Sequence, residues 1–184
     1  LNSLDTRQWY TDEIINSYML LLGGPGNPGC GRDSRYVGKD AFKRHELVKR
    51  WTRKVDTTKQ DVKIFVPVNV DNAHWYMILI DVKTKMILSM DSMGGESGDN
   101  NKDARKEMLG WIEAEHCAKK KKFNKRQWKT AKKKVPQQKN GFDCGPFSCM
   151  FAAFMSNDKN LTFGQTDMPK IRKRIAWSIL NMKL

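Results

Sequence analysis

The chain has 184 residues, enough for one ordinary domain with a substantial hydrophobic core. Hydrophobic residues make up 39% of the chain and aromatic residues 10%, which is typical of a folded globular protein and excludes a largely disordered one. All apolar runs are shorter than the roughly 20 residues that a membrane-spanning helix needs, and the first residues lack the pattern of a signal peptide. We therefore predict that the protein does not act at a membrane.

The spacing of apolar residues predicts the secondary structure. Helices are expected over residues 11–22, 39–50, 101–118 and 144–156 and from Asp167 onward, and strands over 63–70, 74–82, 86–91 and about 133–136. Glycine and proline predict a loop at 23–33. Residues 74–82 are almost continuously apolar, as expected of a strand that is covered on both faces. This order of elements predicts an α+β domain.

Cysteine and histidine spacing argues against a metal site. No two cysteines form a C-x-x-C pair, and the histidines are not at zinc-finger spacing; the residues are Cys30, Cys117, Cys144, Cys149, His45, His74 and His116. His116 and Cys117 are adjacent, but adjacent side chains on a helix diverge. We predict neither a metal nor a cofactor, and a reduced intracellular compartment in which one thiol can be reactive.

Positive charge is concentrated in one segment. The net charge is +14, and residues 119–134 contain ten basic residues and no acidic one. One interpretation is a solvated loop or strand edge. The other is a surface that attracts an acidic protein or nucleic acid, although Phe123 and Trp128 alone are weak evidence for base stacking.

A cysteine nucleophile needs a base, a group that orients the base, and donors for the oxyanion. Cys144 lies where a glycine-containing loop meets a helix, whose positive end favours a thiolate, and Gly145 allows backbone and substrate to approach closely. His74 opens one strand and Asp91 ends its hairpin partner, so antiparallel pairing would bring them to one end of the sheet. Gln138 is a candidate oxyanion donor. Each residue alone is weak evidence.

Several segments resemble the ubiquitin-like-protein proteases, specifically the SUMO-specific (sentrin-specific) cysteine protease catalytic domain. The active-site signature is PQQKNGFDCG at 136–145. Further similar segments, in the family order, are WYTDEIINSYM (9–19), VKRWTRKVD (48–56), VPVNVDNAHW (66–75), MDSMGG (90–95) and MPKIRKRIAWSILNMKL (168–184). The resemblance implies a papain-like fold of the ubiquitin-like-protease type, with a central, mostly antiparallel sheet flanked by helices.

The resemblance also implies roles for individual residues. Cys144 would be the nucleophile, His74 the base, Asp91 its orienting partner and Gln138 the oxyanion-hole glutamine. Substrate-binding residues would be Trp9 and Trp75, which flatten the modifier's terminal Gly-Gly, together with Asp12, Arg50 and Trp51, which hold its body and tail. For Trp9 and Trp51 the alternative is core packing. Residues 23–45 depart from the family pattern because they are shorter and less aromatic, which affects the edge of the expected modifier-binding surface.

The resemblance implies a SUMO-specific thiol protease and isopeptidase that releases SUMO from lysines and matures its precursors, located in the nucleus or at the nuclear envelope and monomeric. The alternatives are a protease for another ubiquitin-like modifier, an acyltransferase, or a non-enzymatic basic module that binds nucleic acid or acidic protein through 119–134. Because the chain starts at Leu1, we expect residues 1–184 to be one catalytic domain from the C-terminal part of a longer protein.

Overall fold

A four-stranded sheet with helices on both faces organises the part of the chain that the computed structural model describes, namely residues 7–23, 52, 56–59, 61–94, 99 and 101–184. The helices are α1 (Asp12–Gly23), α2 (Lys102–Ala118), α3 (Cys144–Ser156) and α4 (Met168–Asn181). The strands are β1 (Lys63–Val70), β2 (His74–Asp81), β3 (Met86–Met90) and β4 (Lys129–Lys132). Short 3₁₀ turns precede β4 at Lys125–Gln127 and α4 at Gln165–Asp167. The helix predicted at 39–50 lies outside the described residues.

The sheet has the strand order β1-β2-β3-β4. β1 pairs with β2 and β2 with β3 in antiparallel fashion, whereas β3 and β4 are parallel. A parallel pair needs a crossover connection, and α2 supplies it between β3 and β4. The predicted α+β fold class and the mostly antiparallel sheet are confirmed.

The prediction of the last strand was wrong in position. The strand comprises Lys129–Lys132, inside the basic run, and not residues 133–136. Backbone groups fix it: Lys129 N donates to Lys85 O and Lys133 N to Ser89 O, both at 2.9 Å. The strand is at the edge of the described sheet, where lysine side chains can reach water, so the apolar alternation that marks other strands is missing here.

β2 is buried on both faces, as its sequence predicts. Met77 and Leu79 contribute to a core shared with α1, α3 and α4, while Ile78 and Ile80 contribute to a core shared with α2. A strand that is covered on both faces needs apolar side chains at successive positions, which explains the continuous apolar sequence of β2. None of the described helices combines the length and apolar composition that crossing a bilayer requires.

The two ends of the sheet carry different residues. His74 begins β2, and Asp91 directly follows β3, so both lie at one end. The turn from Val82 to Lys85 connects the two strands at the opposite end. The first end contains the candidate active site.

Candidate active site

A carboxylate and an imidazole meet at the first end of the sheet. Nε2 of His74 lies 2.8 Å from Oδ1 of Asp91, and the Asp91 side chain is almost fully buried. The proximity that antiparallel pairing predicted for these two residues is therefore confirmed. Because Oδ1 of an ionised carboxylate can only accept, Nε2 carries the hydrogen of this bond.

Asp91 is itself held in place by further donors. Its Oδ1 also accepts a hydrogen bond from the backbone N–H of Met93 at 2.9 Å, and its Oδ2 accepts one from the side-chain amide of Asn101 at 3.0 Å. Burial by itself raises the pKa of Asp91, but the hydrogen bonds from His74, Asn101 and Met93 outweigh burial and lower it. Asp91 is consequently an ionised, fixed partner for the imidazole.

The other ring nitrogen of His74, Nδ1, is not engaged by Asp91. Nδ1 is buried and forms no hydrogen bond of ordinary geometry with any described residue. The Cys144 sulfur nevertheless lies near enough to His74 to favour the imidazolium. Since Nε2 is engaged by Asp91, Nδ1 is the ring nitrogen left to face the sulfur. Nδ1 is thus the nitrogen available to accept the thiol proton.

The environment of His74 stabilises the charged ring. Burial disfavours the imidazolium, but hydrogen bonding to Asp91 and the proximity of the Cys144 sulfur outweigh burial and raise the pKa of His74 from 6.5 to about 9. Cys144 is the first residue of α3, where the helix dipole favours negative charge on sulfur. At neutral pH this arrangement supports a protonated imidazolium at His74, beside the Cys144 sulfur. By contrast, complete burial raises the pKa of Cys149 and keeps that thiol neutral.

Cys144 opens onto a cleft of about 300 Å³. Its lining includes three of the predicted substrate residues, namely Trp9, Asp12 and Trp75. Trp9 is 49% exposed, which excludes core packing as its main role. Trp75 is only 6% exposed, and its indole N–H donates to Tyr10 O at 3.0 Å, so it is a fixed wall of the cleft. Arg50 and Trp51 lie outside the described residues.

Gln138 is held beside the loop that precedes Cys144. Its Oε1 accepts a hydrogen bond from the Ser92 hydroxyl at 2.6 Å, and its Nε2 donates one to Asn140 O at 2.5 Å. Nε2 carries a second N–H besides the one that it donates to Asn140 O. No motif in the sequence predicted this contact of Ser92, which directly follows Asp91.

A buried ion pair fixes the same loop from the other side, and the sequence did not predict it. Nε of Arg172, in α4, donates to Oδ1 of Asp143 at 2.8 Å, and Nη2 of Arg172 donates to Phe142 O at 2.9 Å. The side-chain amides of Asn140 and Gln165 each donate to Oδ2 of Asp143 at 2.7 Å. These contacts tie the residue before Cys144 to α4.

Gly145 packs closely against the segment that precedes α1. A Cβ atom at this position would lie 2.7 Å from Cβ of Tyr10, a distance that real Cβ contacts do not reach. The absent side chain therefore lets the segment before α1 pack against the start of α3. Trp9 belongs to that segment. Gly145 therefore affects the position of Trp9 at the cleft, because it allows this segment to pack closely against α3.

Comparison with known proteins gives a consistent result. The model of the Ulp1 protease family, C-terminal catalytic domain, matches residues 32–182. The chain is 34% identical over its whole length to human sentrin-specific protease 2 and 37% identical to a Caenorhabditis elegans sentrin-specific protease. It spans only 32% and 27% of those two relatives, between a quarter and a third of their length.

Solved structures agree with the sequence relatives. The C-terminal Ulp1 protease domain in complex with Smt3, the yeast ortholog of SUMO, superposes with a TM-score of 0.81 at 26% identity, covering 97% of this chain and 80% of that one. A second structure of the SUMO protease Ulp1, with its catalytic cysteine oxidised to a sulfinic acid, gives a TM-score of 0.79 at 26% identity, covering 98% and 81%.

Proposed function

The chain belongs to the Ulp1 protease family, and from that premise we propose that it is a thiol protease and isopeptidase that cleaves after the C-terminal Gly-Gly of SUMO. One observation carries the proposal: the hydrogen-bonded pair of His74 and Asp91 lies beside Cys144, which opens onto a tryptophan-lined cleft. The proposal covers both deconjugation from lysines and maturation of precursors. It includes a location inside the cell, in the nucleus or at its envelope.

In the proposed reaction Cys144 is the nucleophile. Its thiolate attacks the carbonyl carbon of the terminal glycine and gives a tetrahedral oxyanion. The C–N bond then breaks, and the leaving amine takes a proton from Nδ1 of His74, which leaves a thioester on sulfur. His74 next removes a proton from water, which attacks the thioester and releases the glycine carboxylate and the thiol. Asp91 keeps the hydrogen on Nε2 throughout.

The oxyanion is the group that Gln138 is proposed to stabilise. The Asn140 carbonyl oxygen can only accept, so its contact fixes Nε2 as the donor end of the Gln138 amide, and the second N–H of Nε2 can be directed at the reacting oxygen. A backbone N–H at the start of α3 would be the other donor. Both groups are held before substrate arrives, so little reorganisation is needed at the transition state.

The cleft offers a reason for selecting a Gly-Gly tail. Trp75 is immobilised by its hydrogen bond to Tyr10, and Trp9 stands on the open side of the same cleft. A passage between two indole rings admits residues without side chains and excludes bulkier ones. Asp12, exposed at the start of α1, is proposed to hold a polar group of the modifier at the entrance.

Cleavage of a panel of modifier fusions tests the function. Wild-type protein is expected to cleave a SUMO fusion after Gly-Gly, and Cys144→Ser is expected to lower kcat/KM by at least about 10⁴-fold, because serine is a far weaker nucleophile in this setting. Cys117→Ser, which changes an exposed thiol in α2, is the matched control and should retain the wild-type rate.

The other possible outcomes separate the alternatives. Cleavage of a different ubiquitin-like fusion only would assign another modifier to the same chemistry. Transfer of an acetyl group from acetyl-CoA to a partner, without cleavage, would indicate an acyltransferase. Cleavage by the Cys144→Ser protein at the wild-type rate would overturn the assignment of the nucleophile.

Trp9 gives a prediction about substrate binding. Trp9→Ala is expected to raise KM for a SUMO fusion about tenfold, since a buried aromatic contact at an interface contributes roughly 1–2 kcal/mol. Trp177→Ala is the matched control because Trp177, in α4, is 52% exposed and does not line the cleft. Steady-state kinetics check both variants. Equal effects of the two substitutions would show that Trp9 does not contact the substrate.

A further inference from the structure

A second cleft, of about 950 Å³, lies at the opposite end of the sheet. We call it the basic cleft. It is lined by the β2–β3 turn, the end of α2 and the connection from α2 to β4, with Thr58 at its border; the lining residues used below are Lys85, Lys122, Phe123, Lys125, Arg126 and Trp128. The eight residues of β2 separate it from His74, which at about 3.3 Å a residue is roughly 25 Å.

The described residues that line the basic cleft carry an excess of positive charge. Four of its lining residues are lysine or arginine, and none of the lining residues is acidic. Lys125 forms an exposed ion pair with Glu113 at 2.9 Å. Lys122 and Arg126 have no ion-pair partner among the described residues and are exposed. Two cations are therefore available to a ligand.

The cations are carried by an ordered segment. The side-chain oxygen of Asn124 accepts a hydrogen bond from the backbone N–H of Arg126 at 3.2 Å and caps the 3₁₀ turn Lys125–Gln127. The backbone N–H of Trp128 donates to Lys125 O at 3.1 Å. The Trp128 side chain is 8% exposed and anchors the segment in the core beneath α2. A fixed backbone lowers the entropy cost of binding at this surface.

The aromatic residues of the cleft are already in contact with one another. The rings of Phe123 and Trp128 stack with centroids 5.6 Å apart, and His116 contacts the edge of Phe123 at 5.1 Å. Proteins that bind single-stranded nucleic acid present free aromatic faces on which bases stack. Here those faces are used in internal packing, which leaves charge as the means of recognition.

We propose that the basic cleft binds an acidic peptide segment, with its Asp and Glu carboxylates paired to Lys122 and Arg126. The inference is independent of the proposed protease activity, because the cleft lies at the far end of the sheet from Cys144. The structure divides the 119–134 run accordingly: Lys122–Arg126 lie at the basic cleft, while Lys132 reaches Gly94 O at 2.8 Å near the candidate active site.

Binding of labelled peptides tests the proposal directly. A fluorescein-labelled 12-residue Asp/Glu peptide is measured by fluorescence anisotropy against the full chain, beside an Asn/Gln peptide of the same length and a single-stranded DNA of the same charge. The acidic peptide should bind, and Lys122→Glu/Arg126→Glu should weaken its Kd at least about tenfold at low salt. Lys170→Glu/Lys173→Glu changes two exposed lysines of α4 by the same total charge, and should change the Kd less than about twofold.

Three results would overturn the proposal. Equal weakening by both double variants would show diffuse attraction to a cationic protein, with no local site. Tighter binding of the DNA, lost in Lys122→Glu/Arg126→Glu, would assign the cleft to nucleic acid. No binding of the acidic peptide would exclude the site. If charge reversal unfolds the protein, Lys122→Gln/Arg126→Gln provides the same comparison, and kcat on a modifier fusion reports separately on the catalytic end.

Discussion

Asp91→Asn is expected to lower kcat/KM for a SUMO fusion by roughly 10²- to 10⁴-fold while leaving the fold intact. The reason is which ring nitrogen of His74 carries the hydrogen. With Asp91 as acceptor, the neutral ring keeps its hydrogen on Nε2 and offers Nδ1 to the Cys144 thiol. An asparagine can donate its own N–H to Nε2, which moves the ring hydrogen to Nδ1. That tautomer cannot accept the thiol proton.

The same substitution is expected to move the alkaline limb of the pH–rate profile. In the proposed reaction, departure of the amine requires a protonated His74, and this form is lost as pH rises through about 9, the pKa of His74 in the folded protein. Removing the negative charge of Asp91 lowers that pKa, so the limb should move toward the ordinary value of 6.5. Measurements of kcat/KM across this range check the shift. An alkaline limb at the same pH in both proteins would show that Asp91 does not control the protonation of His74.

A stability measurement gives independent evidence about the pair. The pKa of His74 is raised in the folded state, so its contribution to stability is fully present below 6.5 and is lost as pH rises through about 9. The pKa of Asp91 is lowered, so its contribution is present above its ordinary pKa of 3.8 and is lost in more acidic solution. The difference in unfolding free energy between wild type and Asp91→Asn should therefore be largest between these limits. Urea denaturation at several pH values measures it.

The end of the sheet with the candidate active site could be predicted because its residues occupy places with clear local signals. His74 stands at the start of an apolar run, Asp91 at the end of its hairpin partner, and Cys144 at the start of a helix. Antiparallel pairing then fixes the relation between the first two without further information. The continuous apolar character of β2 likewise predicted burial on both faces, which the two cores confirm.

β4 could not be placed from the sequence because its side chains do not hold it there. Lys129–Lys132 pair through backbone atoms with β3, and α2 packs against the strand. Strand prediction relies on alternation of apolar and polar side chains, which an edge strand made of lysine, threonine and alanine does not show. One interpretation of the basic run at 119–134 was a solvated loop or strand edge. The structure shows that Lys129–Lys132 of this run form an edge strand.

The buried ion pair of Arg172 could not be predicted from the sequence, for a different reason. It lies four residues after Met168 and three before Ile175, both buried, so the helical period places it on the inner face of α4. An arginine among Lys170, Lys173 and Arg174 is nevertheless expected to face water, because charged residues are seldom fully buried without a partner. The partner, Asp143, is distant in sequence, and only the fold brings the two together.

Arg172→Met is expected to destabilise the protein by about 3–5 kcal/mol, the usual cost of removing one partner of a buried ion pair. Arg172 is 2% exposed, and its loss leaves the Asp143 carboxylate buried, with Asn140 and Gln165 as its remaining side-chain donors among the described residues. Arg174→Met, at an exposed position on the same helix, should change stability by less than about 0.5 kcal/mol. Chemical denaturation of the variants measures both effects. The double variant Asp143→Asn/Arg172→Met should recover part of the loss, because it no longer buries an unpaired charge.

The position of Arg172 also predicts an effect on the rate. Asp143 immediately precedes Cys144, and Arg172 holds both the Asp143 carboxylate and the Phe142 carbonyl oxygen, so this arginine positions the backbone from which α3 begins. At a temperature where both proteins are folded, Arg172→Met should lower kcat about tenfold or more, with a smaller change in KM, because the tryptophan-lined cleft does not include this residue. A variant that loses stability and keeps its kcat would show that the pair supports the fold only. A variant that loses kcat would connect α4 to the geometry around Cys144, through a contact that none of the local sequence signals contained.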